Sequence, residues 1–150
     1  MNWMCLTFAE LSTEQLYELL KLRVDIFVVE QTCPYPELDN KDRADDVYHL
    51  LGYQDKQLVA CARLLGPGIS YDNASFGRVA IAQSNRGSGM GQQLVSTILE
   101  YCQQIWPNQD IDIGAQQYLL AFYEKNGFQA ISEMYLEDDI AHLDMRLSKS

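Results

Sequence analysis

Histidine is scarce in this sequence and the cysteines are never paired. There are two histidines, and the four cysteines stand singly, with no Cys-x-x-Cys pair. Structural zinc sites and redox dithiols need closely spaced ligands. We therefore expect no zinc centre and no redox motif, and no metal is implied. Cys5, Cys61 and Cys102 lie in apolar patterns typical of core residues, whereas Cys33 precedes Pro34 in a predicted loop.

Basic residues are also few. The chain has 11 Lys and Arg against 21 Asp and Glu, which gives a formal net charge of −10. This surplus disfavours nucleic acid and anionic membranes as partners, because both carry negative charge themselves. It is compatible with a cationic substrate, although plain solubility is the explanation that we favour.

Long hydrophobic runs are missing as well. The apolar stretches fall short of a membrane span, and no basic segment followed by an apolar block opens the sequence. We therefore expect a soluble, cytoplasmic protein with no membrane partner. The 150 residues, 47% of them hydrophobic, are enough to bury a core, and we predict one domain over residues 1–150.

Hydrophobic periodicity predicts the element order β, α, loop, β, β, β, α, β, α, β, β. Ser12 and Gln15 have the spacing of a capping box at the first helix, and Gly127 is a predicted left-handed C-cap of the last. Residues 31–42 contain two prolines and form a long, potentially functional loop. The predicted strands cover residues 3–8, 47–53, 58–65, 76–82, 110–115, 128–136 and 141–147, and the predicted helices cover 13–30, 88–105 and 117–126.

Three glycines at alternate positions, Gly87, Gly89 and Gly91, separate a predicted strand from a predicted helix. Such a turn presents free backbone N–H groups at the positive end of the helix dipole, where anions bind. Glycine also lets a ligand approach the backbone closely. The turn therefore predicts a phosphate or pyrophosphate cradle, with a plain helix entry as the alternative.

Two nucleotide-binding motifs fit this turn poorly. A P-loop needs Gly-x-x-x-x-Gly-Lys-Ser/Thr, and no lysine follows Gly91. A dinucleotide fingerprint needs Gly-x-Gly-x-x-Gly near the start of a βαβ unit, whereas these glycines follow a meander of strands. ATP and NAD are therefore weak candidates.

The spacing Arg86-x-x-Gly89-x-Gly91, with the run 122–128 (FYEKNGF) later in the chain, resembles the GNAT superfamily of acetyl-CoA-dependent N-acetyltransferases. The resemblance covers nearly the whole chain. It implies an α/β (α+β) fold with a mixed, mostly antiparallel sheet of six to seven strands and flanking helices. Residues 23–31, 33–37, 49–52 and 114–116 resemble the ElaA-type branch, in which the physiological acceptor is poorly defined.

The resemblance implies an acetyl-CoA site around the glycine turn. The turn amides would hold the CoA pyrophosphate, and the preceding strand would pair with the pantetheine arm and offer one free amide to the thioester carbonyl. Arg86 would add a contact or remain a solvated turn residue. The implied acetyl-CoA residues are Val79, Ala80, Ile81, Arg86, Gly87, Ser88, Gly89, Met90, Gly91 and Tyr123.

Tyr123 aligns with the tyrosine that many superfamily members use to protonate the leaving thiolate, although a helix aromatic can equally be a packing residue. A primary ammonium must lose a proton before it attacks, so the reaction needs a base. Glu30 is the first candidate, His49 the second and His142 the third. A water chain without a single base is a further alternative.

The acceptor is expected beside the first helix and the loop after it. The implied acceptor-binding residues are Glu30, Gln31, Tyr35, Arg78 and Gln116. Arginines in predicted strands need a carboxylate partner or a ligand. Arg23, Arg63 and Arg78 therefore either brace the acidic loop 37–46 or bind an acceptor carboxylate.

The predicted function is an acetyl-CoA-dependent N-acetyltransferase in which a small-molecule or peptide primary amine attacks directly in a ternary complex. No cysteine lies near the CoA motifs in a way that suggests an acyl-enzyme. The alternatives are a non-catalytic acyl-CoA-binding or sensing domain, a longer acyl donor, and the acceptor chemistry of acyl-homoserine-lactone synthases. A homodimer is compatible with the fold.

Overall fold

Eight strands and three α-helices make up the fold in the computed structural model, which describes residues 1–149. The strands are β1 (Asn2–Leu6), β2 (Val47–Gln54), β3 (Gln57–Leu65), β4 (Ser75–Ile81), β5 (Ile111–Gln116), β6 (Gln129–Ala130), β7 (Tyr135–Glu137) and β8 (Ile140–Leu147). The helices are α1 (Thr13–Val24), α2 (Met90–Ile105) and α3 (Leu120–Lys125). Shorter 3₁₀ turns cover Phe8–Glu10, Lys41–Arg43, Gln83–Asn85 and Gln117–Leu119. Within residues 1–149, no helix has both the length and the apolar character that crossing a bilayer requires.

The strands form two antiparallel sheets. The first has the order β1-β2-β3-β4, and the second has the order β5-β8-β6 with β7 also pairing with β8. An isolated parallel bridge between Ala74 and Ile111 joins them, just before β4 and at the start of β5. The expected mixed, mostly antiparallel fold with flanking helices is confirmed, with eight strands rather than six or seven.

Helix α1 begins with the predicted capping box. Ser12 Oγ accepts a hydrogen bond from the Gln15 amide at 3.0 Å, and Gln15 Oε1 accepts one from the Ser12 amide at 2.9 Å. These bonds satisfy two amides that the helix itself leaves unpaired. The helical run extends to Glu30 as predicted, but Asp25–Glu30 is a π-helix rather than an α-helix.

Helix α3 and its C-cap position the aromatic residues of the run 122–128. The predicted helix 117–126 divides into a 3₁₀ turn and α3. Gly127 has a φ of +96°, which confirms the left-handed C-cap. The Phe128 amide donates to the Tyr123 carbonyl at 3.1 Å, and Phe128 returns to the core.

The prediction of a strand over residues 128–136 is wrong in its middle. In the described chain, β6 and β7 pair with β8, but residues 131–134 between them lie outside the strands. There the Ser132 hydroxyl accepts a hydrogen bond from the Asp144 amide at 2.8 Å, in place of a strand carbonyl. The Asp144 amide thus bonds to a side chain instead of a neighbouring strand carbonyl. Residues 131–134 therefore leave the sheet, although their sequence alternates as that of a strand does.

Two apolar clusters cover opposite faces of the first sheet. Leu50 and Ala62 pack with α2 and α3, whereas the neighbouring Leu51 and Cys61 pack with Leu19 of α1. Successive strand residues point to opposite faces, so β2 and β3 are buried on both sides. This burial explains their nearly continuous apolar sequence.

The buried cysteines behave as core residues. Cys61 and Cys102 lie in the two clusters, and Cys5 is half-buried against the first. Burial raises the pKa of the Cys61 and Cys102 thiols to about 12, so both remain protonated at neutral pH.

Candidate active site

A cavity of about 830 Å³ lies where β4 and β5 separate. Residues 75–81 and 113–116, consecutive along the two strands, line it, so backbone as well as side chains face the space. The pairing of β4 with β3 slips between Cys61 and Arg63, and Arg78 has a φ of +50°. This bulge releases β4 backbone groups from the ladder. The cleft therefore offers strand-edge hydrogen-bonding groups to an extended ligand.

The glycine turn adjoins this cavity at the start of α2. Arg86 and Gly91 line the cavity, whereas the residues between them do not. Gly87 and Gly89 have φ values of +88° and +79°, and a Cβ built on either meets no atom within 4 Å. Gly89 is an N-cap without a side-chain bond to the helix, so the first amides of α2 lack intrahelical acceptors. The Met90 side chain is buried, with 6% of the residue exposed.

Arg86 is an exposed turn residue, and Glu30 holds it in a two-point ion pair. Its Nη1 and Nη2 donate to the two Glu30 carboxylate oxygens at 2.7 and 2.9 Å, and its Nε donates to the Ile81 carbonyl at 3.0 Å. The hydrogen bonds from Arg86 lower the pKa of Glu30. A carboxylate with a lowered pKa holds a proton weakly, so the structure does not support Glu30 as a strong base.

Tyr123 reaches the cavity from α3. It is 5% exposed, and its ring packs against Phe76, Phe122 and Phe128 with centroid separations of 5.3 to 6.3 Å. Its hydroxyl makes no hydrogen bond with any residue in 1–149, although it lies in a cavity wall. Burial raises the pKa of the phenol to about 12. The hydroxyl is therefore protonated at neutral pH and available as a proton donor.

His49 lies outside the cavity. It is 1% exposed on β2, and its Nε2 lies 3.1 Å from the Asp42 carbonyl oxygen. Burial lowers its pKa, which keeps the ring neutral. A side chain without access to the cavity does not meet an acceptor there, so the structure does not support His49 as the base.

The predicted acceptor-binding residues are brought together. Gln31, Tyr35, Arg78 and Gln116 all line the cavity, as does His142. The sequence analysis did not single out several other lining residues, because most lie in loops or turns whose position no periodicity fixes. These are Cys33, Lys41, Ser70, Tyr71, Tyr118, Glu137 and Asp138.

Cys33 lines the cavity as well. The sequence analysis found no cysteine near the CoA motifs in a way that suggests an acyl-enzyme, and that expectation stays a prediction. The Cys33 thiol donates to the Asp138 carbonyl at 3.6 Å and so connects the long loop with the turn between β7 and β8. That turn has φ values of +50° and +62° at Asp138 and Asp139, the conformation of a tight two-residue hairpin.

The three arginines brace the acidic loop through a buried network. Arg23, on α1, pairs with Glu37 at 2.5 Å and with Asp42 at 2.7 Å. Arg63, on β3, pairs with Asp39 at 2.8 Å and with Asp42 at 3.1 Å. Arg78, on β4, pairs with Glu37 at 2.9 Å and with Asp39 at 3.4 Å. Three positive and three negative charges balance, so the loop is tied to the sheet without a buried net charge.

Arg78 belongs both to this network and to the cavity wall. Its guanidinium carbon lies 5.5 Å from the centre of the Tyr35 ring, and the Tyr35 hydroxyl donates to Glu37. The network thereby fixes two of the predicted acceptor-binding side chains. The ion pairs and hydrogen bonds that hold Tyr35 and Arg78 are structural, while the surfaces that these two side chains turn to the cavity are open to a ligand.

Comparison with known proteins gives consistent matches over this whole architecture. A family profile described as an acetyltransferase (GNAT) domain matches residues 24–149. Protein ElaA of Escherichia coli K12 is 43% identical over 144 residues, covering 96% of this chain and 94% of that protein. The crystal structure of an acyl-CoA N-acyltransferase from Pseudomonas aeruginosa superposes with a TM-score of 0.93 at 40% identity, covering 99% of this chain and all of that one. The crystal structure of E. coli ElaA gives a TM-score of 0.91 at 42% identity, with 97% of both chains covered.

Proposed function

Because the chain belongs to the GNAT acetyltransferase family, whose members use acyl-CoA as co-substrate, we propose that it transfers an acetyl group from acetyl-CoA to a primary amine. One observation carries the proposal: residues of the β4 edge, of the glycine turn and of α3, including Tyr123, line a single cavity. An anion cradle, a strand-like binding edge and a proton donor are the groups that thioester aminolysis needs.

The glycine turn supplies the diphosphate site. Free amides at the start of α2 point at the ligand, and the open space beside Gly87 and Gly89 admits it close to the backbone. The residues proposed for this cradle are Arg86, Gly87, Ser88, Gly89, Met90 and Gly91. Glu30 holds the Arg86 guanidinium beside the turn, so we assign Glu30 a positioning role there.

The bulged edge of β4 supplies the thioester site. The backbone of Val79, Ala80 and Ile81 pairs with the pantetheine arm, and an amide freed by the bulge polarises the thioester carbonyl. Tyr123 then gives its proton to the departing thiolate. Gln31, Tyr35, Arg78 and Gln116 form the acceptor side of the same cavity.

The activity is tested by release of free CoA thiol. Purified protein is incubated with acetyl-, butyryl- or octanoyl-CoA and a panel containing polyamines, amino acids, peptide N-termini and lysine peptides. We expect thiol release that depends on a primary amine and is fastest with acetyl-CoA. Binding of acetyl-CoA without release for any amine would favour a sensing domain instead. Faster thiol release with octanoyl-CoA than with acetyl-CoA would show that the protein uses a longer acyl donor.

Tyr123→Phe tests the proton donor. Loss of a general acid costs about 100-fold or more in turnover, while acetyl-CoA binding, measured by calorimetry, stays within about twofold. Tyr48→Phe is the matched control, because Tyr48 is also partly buried but lies outside the cavity against Trp106. Equal rates for Tyr123→Phe and wild type would remove Tyr123 from the mechanism.

Cys33 requires a separate test, since a thiol in the cavity could accept the acetyl group. Direct attack predicts intersecting lines in initial-velocity plots and full activity of Cys33→Ala. Parallel lines, together with an acetylated Cys33 in mass spectra of the enzyme with acetyl-CoA alone, would establish an acyl-enzyme route instead.

A further inference from the structure

His142 occupies a wall of the cavity on the face opposite Tyr123. It is 7% exposed and pairs across the sheet with Gln116 of β5. Its strand neighbours Leu143 and Met145 belong to the same apolar cluster as Tyr123. Because strand residues alternate between faces, His142 stands on the other face from Leu143. His142 and Tyr123 therefore approach the cleft between β4 and β5 from two sides.

The hydrogen bond at Nδ1 fixes the tautomer of His142. Nδ1 lies 2.7 Å from the Ile140 carbonyl oxygen. A carbonyl oxygen accepts and never donates, so Nδ1 carries the hydrogen and Nε2 carries the lone pair. The ring is held in place by stacking on Tyr135, with centroids 6.1 Å apart and planes at 18°. The imidazole is thus oriented with its basic nitrogen free.

Glu137 stands next to that basic nitrogen. Its Oε2 is 3.6 Å from His142 Nε2. The four carboxylates in the cavity wall divide into two kinds. Glu30 and Asp39 are held by arginines, whereas Glu137 and Asp138 have no arginine or lysine partner within residues 1–149. A carboxylate left free beside an imidazole stabilises the ring once it is protonated.

On the proposed function, we infer that His142 is the general base of the transfer, with Glu137 stabilising its protonated ring. The base must meet the acceptor in the cavity and hold a free lone pair. Glu30 is engaged by Arg86 and His49 has no access, so neither meets both conditions. His142 meets both.

The proton balance closes with Tyr123 as acid. His142 Nε2 takes one proton from the acceptor ammonium, and the amine nitrogen attacks the thioester carbonyl carbon. The new C–N bond replaces the C–S bond, whose electron pair leaves on sulfur. The thiolate takes the Tyr123 proton, and Tyr123 recovers the second proton that the nitrogen sheds. The imidazolium releases its proton past Glu137 to water, so each turnover gives an amide, a CoA thiol and one proton.

The groups around His142 favour a cationic acceptor. The turn between β7 and β8 presents Glu137, Asp138 and Asp139, and β5 presents the neutral Gln116. Asp144, two residues along β8 on the same face, is held by the hydroxyls of Tyr71 and Tyr135 at 2.9 and 2.7 Å. The immediate surroundings are therefore acidic or neutral, which suits a protonated amine on arrival.

Two acceptors that differ in protonation state at neutral pH show whether His142 acts as a general base or only supports the structure. Spermidine arrives as an ammonium ion and needs a base, whereas hydroxylamine is unprotonated at neutral pH. With acetyl-CoA at pH 7, His142→Gln should lose about 100-fold or more in kcat/KM with spermidine and far less with hydroxylamine. An equal loss with both acceptors, or no loss, would overturn the inference.

Glu137→Gln tests the partner. Without the carboxylate, kcat/KM should fall more with spermidine than with hydroxylamine, while Glu133→Gln, an exposed control outside the cavity, leaves both values in place. Unchanged kcat/KM with spermidine in Glu137→Gln would contradict the pairing.

A spectroscopic readout keeps this inference separate from the proposed function. Nitrogen-15 NMR of the His142 imidazole in the wild-type protein, recorded without any acceptor, should show the tautomer with the hydrogen on Nδ1. A resonance pattern with hydrogen on Nε2 would overturn the assignment of His142 whatever the activity. Absence of thiol release with every amine would instead count against the acetyltransferase proposal.

Discussion

Arg23 illustrates how one residue ties the acidic loop 37–46 to the fold. It is 1% exposed, and its charge is met by Glu37 and Asp42. Burial alone would lower the pKa of the guanidinium, but the hydrogen bonds and charges of the two carboxylates raise it overall. Arg23 is therefore permanently charged. Its removal leaves three carboxylates with only two arginines, Arg63 and Arg78, and so leaves one negative charge of the network unbalanced.

Arg23→Met should destabilise the protein by about 3–5 kcal/mol, the usual cost of stranding a buried charge. The measurement is the free energy of unfolding from urea titration at pH 7. Lys21→Met is the matched control, because Lys21 makes an exposed pair with Asp25 on the same helix. A loss no larger for Arg23→Met than for Lys21→Met would show that the network contributes little to stability.

At the scale of an element, the glycines that begin α2 are not equivalent. Gly87 and Gly89 occupy the left-handed region, whereas Gly91 lies inside the first turn of the helix. A Cβ at Gly89 meets nothing, so its substitution is costly through the backbone alone. A Cβ at Gly91 has its nearest neighbour, Ile81 Cδ1, at 4.0 Å, an ordinary contact.

Substitution of Gly89 and of Gly91 by alanine should therefore change the stability of the protein in opposite directions. Gly89→Ala should cost roughly 1–2 kcal/mol, because an L-residue is strained at positive φ. Gly91→Ala should gain roughly 0.5–1 kcal/mol, because alanine loses less conformational freedom in a helix. Thermal unfolding without acetyl-CoA measures both. Stabilisation by both variants would refute the left-handed conformation at Gly89.

Most element boundaries could be predicted, and the failures have local causes. The capping box at Ser12 and the C-cap at Gly127 are short-range patterns, and both are confirmed. The interruption between β6 and β7 depends on Ser132 meeting Asp144 from a distant strand. The π-helical end of α1 likewise has no sequence signal comparable to a cap. Short-range patterns were readable, whereas contacts between distant segments were not.

At the scale of the whole molecule, the arginine network couples stability to pH. Burial raises the pKa of Asp39, but the hydrogen bonds and charge of Arg63 outweigh it and lower the pKa from 3.8 to about 2. Arg23 similarly outweighs burial and lowers the pKa of Asp42. A lowered folded-state pKa means that the stabilisation is complete above the unfolded value near 3.8. It is lost as the pH falls through the folded value.

We therefore expect the urea midpoint to fall progressively below pH 4. Burial also lowers the pKa of His49 from 6.5, so the unfolded chain binds this proton more readily than the folded one. His49 therefore adds a loss of stability that begins as the pH falls below 6.5. Asp39→Asn should be less stable at pH 6 but lose less of its stability between pH 4 and 2. A wild-type midpoint that is constant from pH 6 to 2 would contradict the argument.

The sequence by itself determined the fold class and the glycine turn between β4 and α2. Glycine spacing, caps and periodicity are local patterns, because backbone conformation and burial follow directly from neighbouring residues. The position of Tyr123 in the run 122–128 is also a local pattern, and Tyr123 lines the cavity as expected.

Only the tertiary structure decided the surroundings of the three candidate bases. It joined Glu30 to Arg86, removed His49 from the cavity, and set His142 beside Glu137. The basicity of a side chain depends on which charges and which solvent it meets, and these come from segments far apart in the chain. The glycine turn could be interpreted from its own residues, whereas the surroundings of His142 depend on the sheet that brings β5, β7 and β8 together.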